Sequence, residues 1–136
     1  MKLTSYLTFN GQCETAFKFY EQCLGGKIAG LWTYAGTPTE NLVPREWRNK
    51  VLHATLNLGE NLLQGCDAPP DHYQKPQGFS VKLDFSERTD AERIFQALAE
   101  NGTVQMALQE TFWAVRFGML VDQFGIPWMI NCGQSA

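Results

Sequence analysis

Residues Glu110 to Asn131 read ETFWAVRFGMLVDQFGIPWMIN. The aromatic and β-branched residues of 112–121 are typical of a strand, and Asp122-Gln123-Phe124-Gly125 has the composition of a tight turn. Residues 127–130 then predict a returning strand. Because side chains alternate along a strand, two faces are expected, one with Ile126, Trp128 and Ile130 and the other with Pro127, Met129 and Asn131. We assign Trp128 to the core.

The segment before this hairpin predicts one strand, one helix and another strand. Residues 79–85 alternate as a strand, and residues 89–100 repeat their apolar positions with the helical period. Thr89 and Glu92 have the spacing of a capping box, and Asn101-Gly102 is expected to end the helix. Residues 103–108 predict the next strand. The apolar stripe of the helix comprises Ala91, Ile94, Phe95 and Leu98.

The first half of the chain repeats this order. Strands are predicted at 3–9, 27–34, 51–58 and 62–65, and a helix at 12–24, with the stripe Cys13, Ala16, Phe17, Tyr20 and Leu24. The sequence therefore predicts an α+β fold of two βαβββ modules. We expect a first module at 1–66, a proline-rich linker at 67–78 and a second module at 79–136, together forming one compact domain.

One long loop interrupts the first module. Residues 35–50 contain two prolines and the cluster Arg45-Glu46-Trp47-Arg48. A loop of this length in a small protein is typical of a lid or a mobile segment.

Composition narrows the class of protein. The 136 residues are 44% hydrophobic and 18% charged, which predicts a folded core. The net charge of −3, without a basic patch, argues against a nucleic-acid partner. We expect no signal peptide and no membrane segment. The four cysteines form no CxxC pair, so we expect free thiols in a reducing cytoplasm, as buried filler more than as catalysts.

With this order of elements, the chain resembles the vicinal oxygen chelate superfamily, which includes glyoxalase I and bleomycin-resistance proteins, and within it the PhnB-like (3-demethylubiquinone methyltransferase-like) group. The resemblance covers nearly the whole chain. It implies sheets that curl around a cavity, helices on the outer faces, and a homodimer. The matching segments are residues 6–11 (YLTFNG), 16–26 (AFKFYEQCLGG), 53–54 (HA), 64–68 (QGCDA), 111–113 (TFW) and 122–131.

The resemblance also implies four positions that hold a metal in the metal-dependent members. They fall on Ser5, Gln64, Phe79 and Met129. A hydroxyl, an amide, a phenyl ring and a thioether do not form a site for a divalent cation. We therefore expect no metal and no other cofactor, and we assign these four positions to ligand binding.

His53 is the leading candidate for chemistry. It shares the polar face of its strand with Thr55 and Asn57, opposite an apolar face. It is a candidate general base or hydrogen-bond donor, and the alternative is a structural histidine. The other histidine, His72, is expected to be a solvated linker residue.

Trp113 and Arg116 are candidate ligand-binding residues, because an arginine beside aromatic rings suits an anionic or planar ligand. The alternative for Arg116 is a surface ion pair with a carboxylate such as Glu110. Cys66 and Asp67 have the order of a nucleophile and its base, but the following Ala68-Pro69-Pro70 favours a turn-capping role for Asp67.

Three hypotheses for function remain open at this point. The first is a small-molecule-binding protein without the family's metal site. The second is a glyoxalase- or dioxygenase-like enzyme with a variant metal shell or with His53 as general base. The third is a protein-interaction module. The name methyltransferase is not favoured, since enzymes that use S-adenosylmethionine typically have a doubly wound sheet with a glycine-rich turn after the first strand.

Overall fold

The computed structural model describes residues 1–133, and the contacts divide the chain into two compact units between Gln74 and Lys75. Each unit runs strand, helix, strand, strand, strand. The predicted pair of βαβββ modules is confirmed. Over residues 1–133, no helix is long and apolar enough to cross a bilayer.

The first unit is one four-stranded sheet with one long helix. Its strands stand in the order β1-β4-β3-β2, with β1 parallel to β4 and the other pairs antiparallel. The helix α1 packs on β2, β3 and β4. The elements are β1 (Ser5–Phe9), α1 (Cys13–Leu24), β2 (Lys27–Thr33), β3 (Val51–Leu58) and β4 (Asn61–Asp67).

The apolar stripe of α1 lies against this sheet as predicted, with one difference. The fifth buried residue is Cys23, and Leu24 is only half-buried. The helix ends at Gly25, whose φ of +76° is a conformation that glycine adopts without strain.

The loop between β2 and β3 contains two short 3₁₀ helices, Glu40–Leu42 and Arg45–Trp47. Backbone bonds join its two ends, from Tyr34 N to Lys50 O (3.1 Å) and from Ala35 N to Arg48 O (2.8 Å). Trp47 is buried. The segment is therefore fastened at its base and anchored by an indole, which differs from an unattached loop.

The second unit repeats the arrangement, with strand order β5-β8-β7-β6 and β5 parallel to β8. Ile126, Trp128 and Ile130 are buried, while Pro127 and Met129 are half-buried, so the two predicted faces are confirmed. The elements are β5 (Val81–Phe85), α2 (Arg88–Ala99), β6 (Thr103–Gln109), β7 (Ala114–Val121) and β8 (Pro127–Gly133).

Two local predictions in the second unit are wrong. The helix α2 begins at Arg88 after Glu87, and no side chain caps it, so Thr89 and Glu92 form no capping box. The strand β7 begins at Ala114, and Phe112 lies before it with 93% of its side chain exposed. Both errors concern the ends of elements, where a composition pattern gives weak information.

Candidate functional site

The helix α1 covers one face of the first sheet, and the opposite face carries a polar and aromatic cluster. On β1 the alternation is clear, because Leu7 and Phe9 are buried toward α1 and Tyr6 lies on the other side. We call this other side the open face. Its side chains include Tyr6, Thr8, Trp32, His53, Thr55, Gln64 and Cys66, and strand pairing places Asn57 and Lys27 farther along the same face.

Three rings of the open face lie side by side, and we call them the ring row. The imidazole of His53 is 5.7 Å from the Tyr6 ring centroid and 6.0 Å from that of Trp32, at interplanar angles of 28° and 29°. Trp32 is the direct pairing partner of His53 between β2 and β3. Tyr6 and Trp32 are 48% and 56% exposed, so the row presents nearly parallel π-faces.

A glycine sets the position of the indole in this row. A Cβ on Gly30 would lie only 2.5 Å and 2.6 Å from two atoms of the Trp32 ring. Contacts this short do not occur between unbonded atoms, so the indole can lie over β2 only because residue 30 has no side chain.

Hydrogen bonds link the ring row to neighbouring side chains. The Tyr6 hydroxyl is 3.1 Å from His53 Nδ1, and the Thr55 hydroxyl is 3.3 Å from His53 Nε2. Gln64 Nε2 donates to Thr55 Oγ1 at 3.3 Å. Both nitrogens of His53 therefore have a partner.

Burial keeps the side chains of Tyr6 and Cys66 in their protonated, neutral forms. Burial raises the pKa of the Tyr6 phenol, and a hydrogen bond with Cys66 adds to that rise. Burial likewise raises the pKa of the Cys66 thiol, although the bond with Tyr6 opposes part of the shift. Both groups are thus neutral at physiological pH, and Cys66 is not an activated nucleophile.

The proposed pairing of Cys66 with Asp67 as nucleophile and base is wrong. Asp67 is buried, and its carboxylate accepts from Cys13 N and Val51 N, both at 2.9 Å. It joins the start of α1 to the start of β3. The turn-capping alternative is also incorrect, because these partners are far from residue 67 in sequence.

The structure brings together two of the predicted site residues of the first unit, His53 and Gln64. Ser5 does not join them, because it alternates with Tyr6 and lies on the side of Leu7 and Phe9. The sequence interpretation missed Tyr6 and Trp32. Alternation along LTSYLTF was the available signal for Tyr6, whereas Trp32 requires the pairing of β2 with β3.

The predicted residues of the second unit fall into separate places. Phe79 and Met129 both line an open cavity of about 530 Å³, which is also bordered by Lys75 and Gln105. Trp113 packs its ring on Phe117, at a centroid distance of 5.3 Å.

Arg116 lies away from that cavity lining. Its guanidinium is 3.4 Å from the Glu92 carboxylate of α2, and its Nη1 donates to Val115 O at 2.8 Å. The arginine is thus an ion-paired residue, as in the alternative considered from the sequence. Its partner is Glu92 and not Glu110.

The donors available do not fit a divalent metal. Within residues 1–133, no three His, Cys, Asp or Glu side chains are grouped so that they could hold one. The open face brings together one imidazole and one thiol, and its other polar groups include a phenol, hydroxyls and amides. Divalent cations in proteins are held by several imidazole, thiolate or carboxylate ligands, so this donor set is a poor one.

The buried thiols predict a loss of stability at alkaline pH. Burial raises the pKa of Cys13 above its ordinary value of 9.0, and that of Cys66 in the same direction. Above that value the unfolded chain releases thiol protons that the folded chain keeps. The contribution of these thiols to the free energy of unfolding is therefore fully present below about pH 9. It decreases as the pH rises further, by about 1.4 kcal/mol per pH unit for Cys13.

Urea unfolding at about pH 8, 9 and 10 measures this effect. Tyr6 and Tyr34 also have a raised pKa, but their ordinary value is 10.0, so the thiols account for the earlier part of the decline. Cys13→Ala should flatten the decline between pH 9 and 10. An unchanged decline in that variant would contradict the assignment to Cys13.

Comparisons with known proteins find a family and two similar full-length chains. The sequence matches the family described as 3-demethylubiquinone-9 3-methyltransferase over residues 1–131. Protein YjdN of Escherichia coli (strain K12) is 34% identical, with 96% of this chain and 95% of that protein covered. The crystal structure of protein PA1353 from Pseudomonas aeruginosa is 41% identical, with a TM-score of 0.90 and 99% of both chains covered.

A more distant structure shares the fold alone. It is a glyoxylase/bleomycin resistance protein/dioxygenase domain from Frankia sp. EAN1pec, 13% identical, with a TM-score of 0.67 and 98% of each chain covered. The fold is therefore one that also occurs outside the matched family, and it does not by itself identify a reaction.

Proposed function

The chain belongs to the 3-demethylubiquinone-9 3-methyltransferase family, and we propose that it binds a small molecule on the open face of its first sheet. The observation that carries the proposal is the ring row of Tyr6, His53 and Trp32. Ligand sites typically combine aromatic surface with a few convergent polar groups, and Thr55 and Gln64 supply such groups here.

The chemistry of the row favours a planar ligand without a net charge. Two of its rings are half exposed and offer π-faces for stacking. None of the seven side chains around the ring row is a lysine, an arginine or a carboxylate, and Lys27 lies at the far end of β2, beyond the register shift between Ile28 and Gly30. A charged ligand would therefore find no opposite charge among these side chains.

The alternative with His53 as general base has less support, since both of its ring nitrogens are already hydrogen-bonded. Methyl transfer is not proposed, because the chain's two four-stranded mixed sheets differ from the doubly wound sheet typical of enzymes that use S-adenosylmethionine. We further propose that the protein is cytoplasmic, because all four cysteines are free thiols and thiols stay reduced in that compartment.

The neutral planar dye Nile red is a suitable probe of this surface. We expect it to bind the protein with increased fluorescence and to lose about tenfold in affinity in Trp32→Ala, since stacking on an aromatic ring contributes about 1–3 kcal/mol. Fluorescence titration measures the dissociation constant.

Two variants make this test specific. Gly30→Ala should also weaken binding, because the new methyl group displaces the indole without removing it. Trp113→Ala removes an indole of similar exposure from the second unit, 48% against 56% for Trp32, and should leave binding unchanged. Equal losses in Trp32→Ala and Trp113→Ala would reject the open face as the binding site.

We also propose that two copies of the chain associate. The strand β6 is an edge strand with Val104 and Met106 exposed, and Phe112 and Trp113 follow it with exposed rings. Unpaired edges and exposed apolar side chains are features that proteins commonly cover by pairing.

Sedimentation should therefore report twice the mass of one chain at micromolar concentration. A Val104→Lys, Phe112→Ser double variant should shift the protein toward the monomer, because it places a charge on the edge and removes the exposed ring. A wild-type monomer at that concentration would contradict the proposal.

A further inference from the structure

The hydrogen bonds of the open face form a continuous chain across three neighbouring strands. Gln64 on β4 bonds to Thr55 on β3, Thr55 bonds to His53, and His53 bonds to Tyr6 on β1. The Thr55 hydroxyl therefore lies between two partners, the Gln64 amide and the His53 ring.

The direction of this chain follows from its first member. An amide nitrogen only donates, so Gln64 Nε2 donates to Thr55 Oγ1. Since Thr55 Oγ1 accepts from Gln64, the hydroxyl proton of Thr55 is donated to its other described partner, His53 Nε2. A neutral imidazole that accepts at Nε2 carries its proton at Nδ1, and this nitrogen then donates to the Tyr6 oxygen.

We infer that Gln64 is a positioning residue, which fixes the proton of His53 on Nδ1 and so makes the Tyr6 hydroxyl a hydrogen-bond donor toward the ligand. Resting on the proposed function, this narrows the ligand to a planar molecule with a neutral acceptor, such as a carbonyl oxygen, beside its ring. Because the Tyr6 oxygen accepts from His53 Nδ1, the Tyr6 proton points away from the imidazole and can be donated to a carbonyl oxygen of the ligand.

The tautomer of His53 tests the inference without any ligand. Nitrogen-15 NMR of the uniformly labelled full chain at mildly alkaline pH distinguishes the two ring nitrogens of each histidine. We expect the proton on Nδ1 in His53. His72 is the internal reference, because it is exposed and a solvated neutral imidazole favours the proton on Nε2.

Changing the first member of the chain should reverse its direction. In Gln64→Glu the carboxylate only accepts, so Thr55 donates to it and His53 must donate from Nε2. We expect the proton of His53 to move to Nε2 in this variant. In Gln64→Leu no donor orients the Thr55 hydroxyl, which can then donate to His53 Nε2 or accept from it, so we expect a mixture of the two tautomers. Gln22→Glu adds the same charge on the exposed side of α1 and should change nothing.

Two outcomes would overturn the inference. One is a wild-type His53 with its proton on Nε2, and the other is a Gln64→Glu spectrum identical to that of the wild type. If Gln64→Glu does not fold, as its amide spectrum would show, the test still stands. The tautomer of His53 in the wild type and in Gln64→Leu then decides the direction of the hydrogen-bond chain.

A matched pair of probes tests the consequence for ligands. Indane and 1-indanone have the same fused-ring frame, but only the second carries a carbonyl oxygen. We expect the wild type to bind 1-indanone about three- to tenfold more tightly, the usual value of one hydrogen bond. The preference should disappear in Tyr6→Phe and shrink in Gln64→Glu, where the Tyr6 proton turns toward His53.

These probe experiments distinguish a failure of the proposed function from a failure of the inferred ligand class. If neither probe binds and Nile red binding does not depend on Trp32, the proposed function fails while the tautomer result stands or falls by itself. If both probes bind equally well and Tyr6→Phe has no effect, the open face is a binding surface but the ligand class inferred from Tyr6 is wrong.

Discussion

Asp67→Ala is expected to lower the free energy of unfolding by about 4 kcal/mol. The carboxylate is 1% exposed and accepts from Cys13 N and Val51 N. Removing it leaves both donors buried without a partner, at about 1–3 kcal/mol each. The loss also weakens a favourable contact between a negative group and the N-terminus of α1. Urea unfolding at neutral pH measures the change.

Two matched variants identify the origin of this effect. Asp71→Ala removes an exposed carboxylate four residues away and should change stability by less than about 0.5 kcal/mol. Asp67→Asn keeps one acceptor oxygen but turns an amide donor toward a backbone donor, so we expect an intermediate loss. A loss in Asp67→Ala no larger than in Asp71→Ala would show that the carboxylate does not hold α1 and β3 together.

The order of elements was predictable from local patterns. The helical stripes at 12–24 and 89–100 and the two faces of residues 126–130 depend on side-chain spacing within one element, and the structure confirms them. The ends of elements were less predictable, as the missing capping box at Thr89 shows. A helix start depends on where the chain leaves the preceding strand, which the spacing of side chains does not determine.

The candidate site was predictable only in part, because its geometry depends on pairing between distant strands. His53 and Gln64 were predicted as site residues. The rings that contact His53 belong to Tyr6 and Trp32, which lie about 20 to 50 positions before it in the sequence. The choice of Ser5 over Tyr6 illustrates the difficulty. A shift of one residue along a strand moves a side chain to the opposite face of the sheet.

The role of Asp67 was missed for the same reason. Its partners Cys13 and Val51 are 54 and 16 positions away. The local sequence Asp67-Ala68-Pro69-Pro70 favours a turn, and nothing within it indicates a buried carboxylate that accepts from two other elements.

Gly65→Ala is expected to destabilise the chain by about 3 kcal/mol through a steric conflict, in contrast to the lost hydrogen bonds of Asp67→Ala. A Cβ on this residue would lie 2.6 Å from the backbone oxygen of Leu7 and 3.0 Å from the Phe17 ring of α1. The ring could rotate, but the oxygen belongs to β1, which pairs directly with β4 at this position. The two strands or the helix must therefore move apart.

Gly133→Ala is the matched control, because it also lies in a strand and a Cβ there meets nothing within 4 Å. We expect it to change stability by less than about 0.5 kcal/mol. Gly65→Ala should in addition weaken Nile red binding, since its neighbours Gln64 and Cys66 belong to the open face and move with β4. Equal stabilities of the two variants in urea would contradict the close packing of α1, β1 and β4. A destabilised Gly65→Ala with unchanged dye affinity would separate that packing from the geometry of the open face.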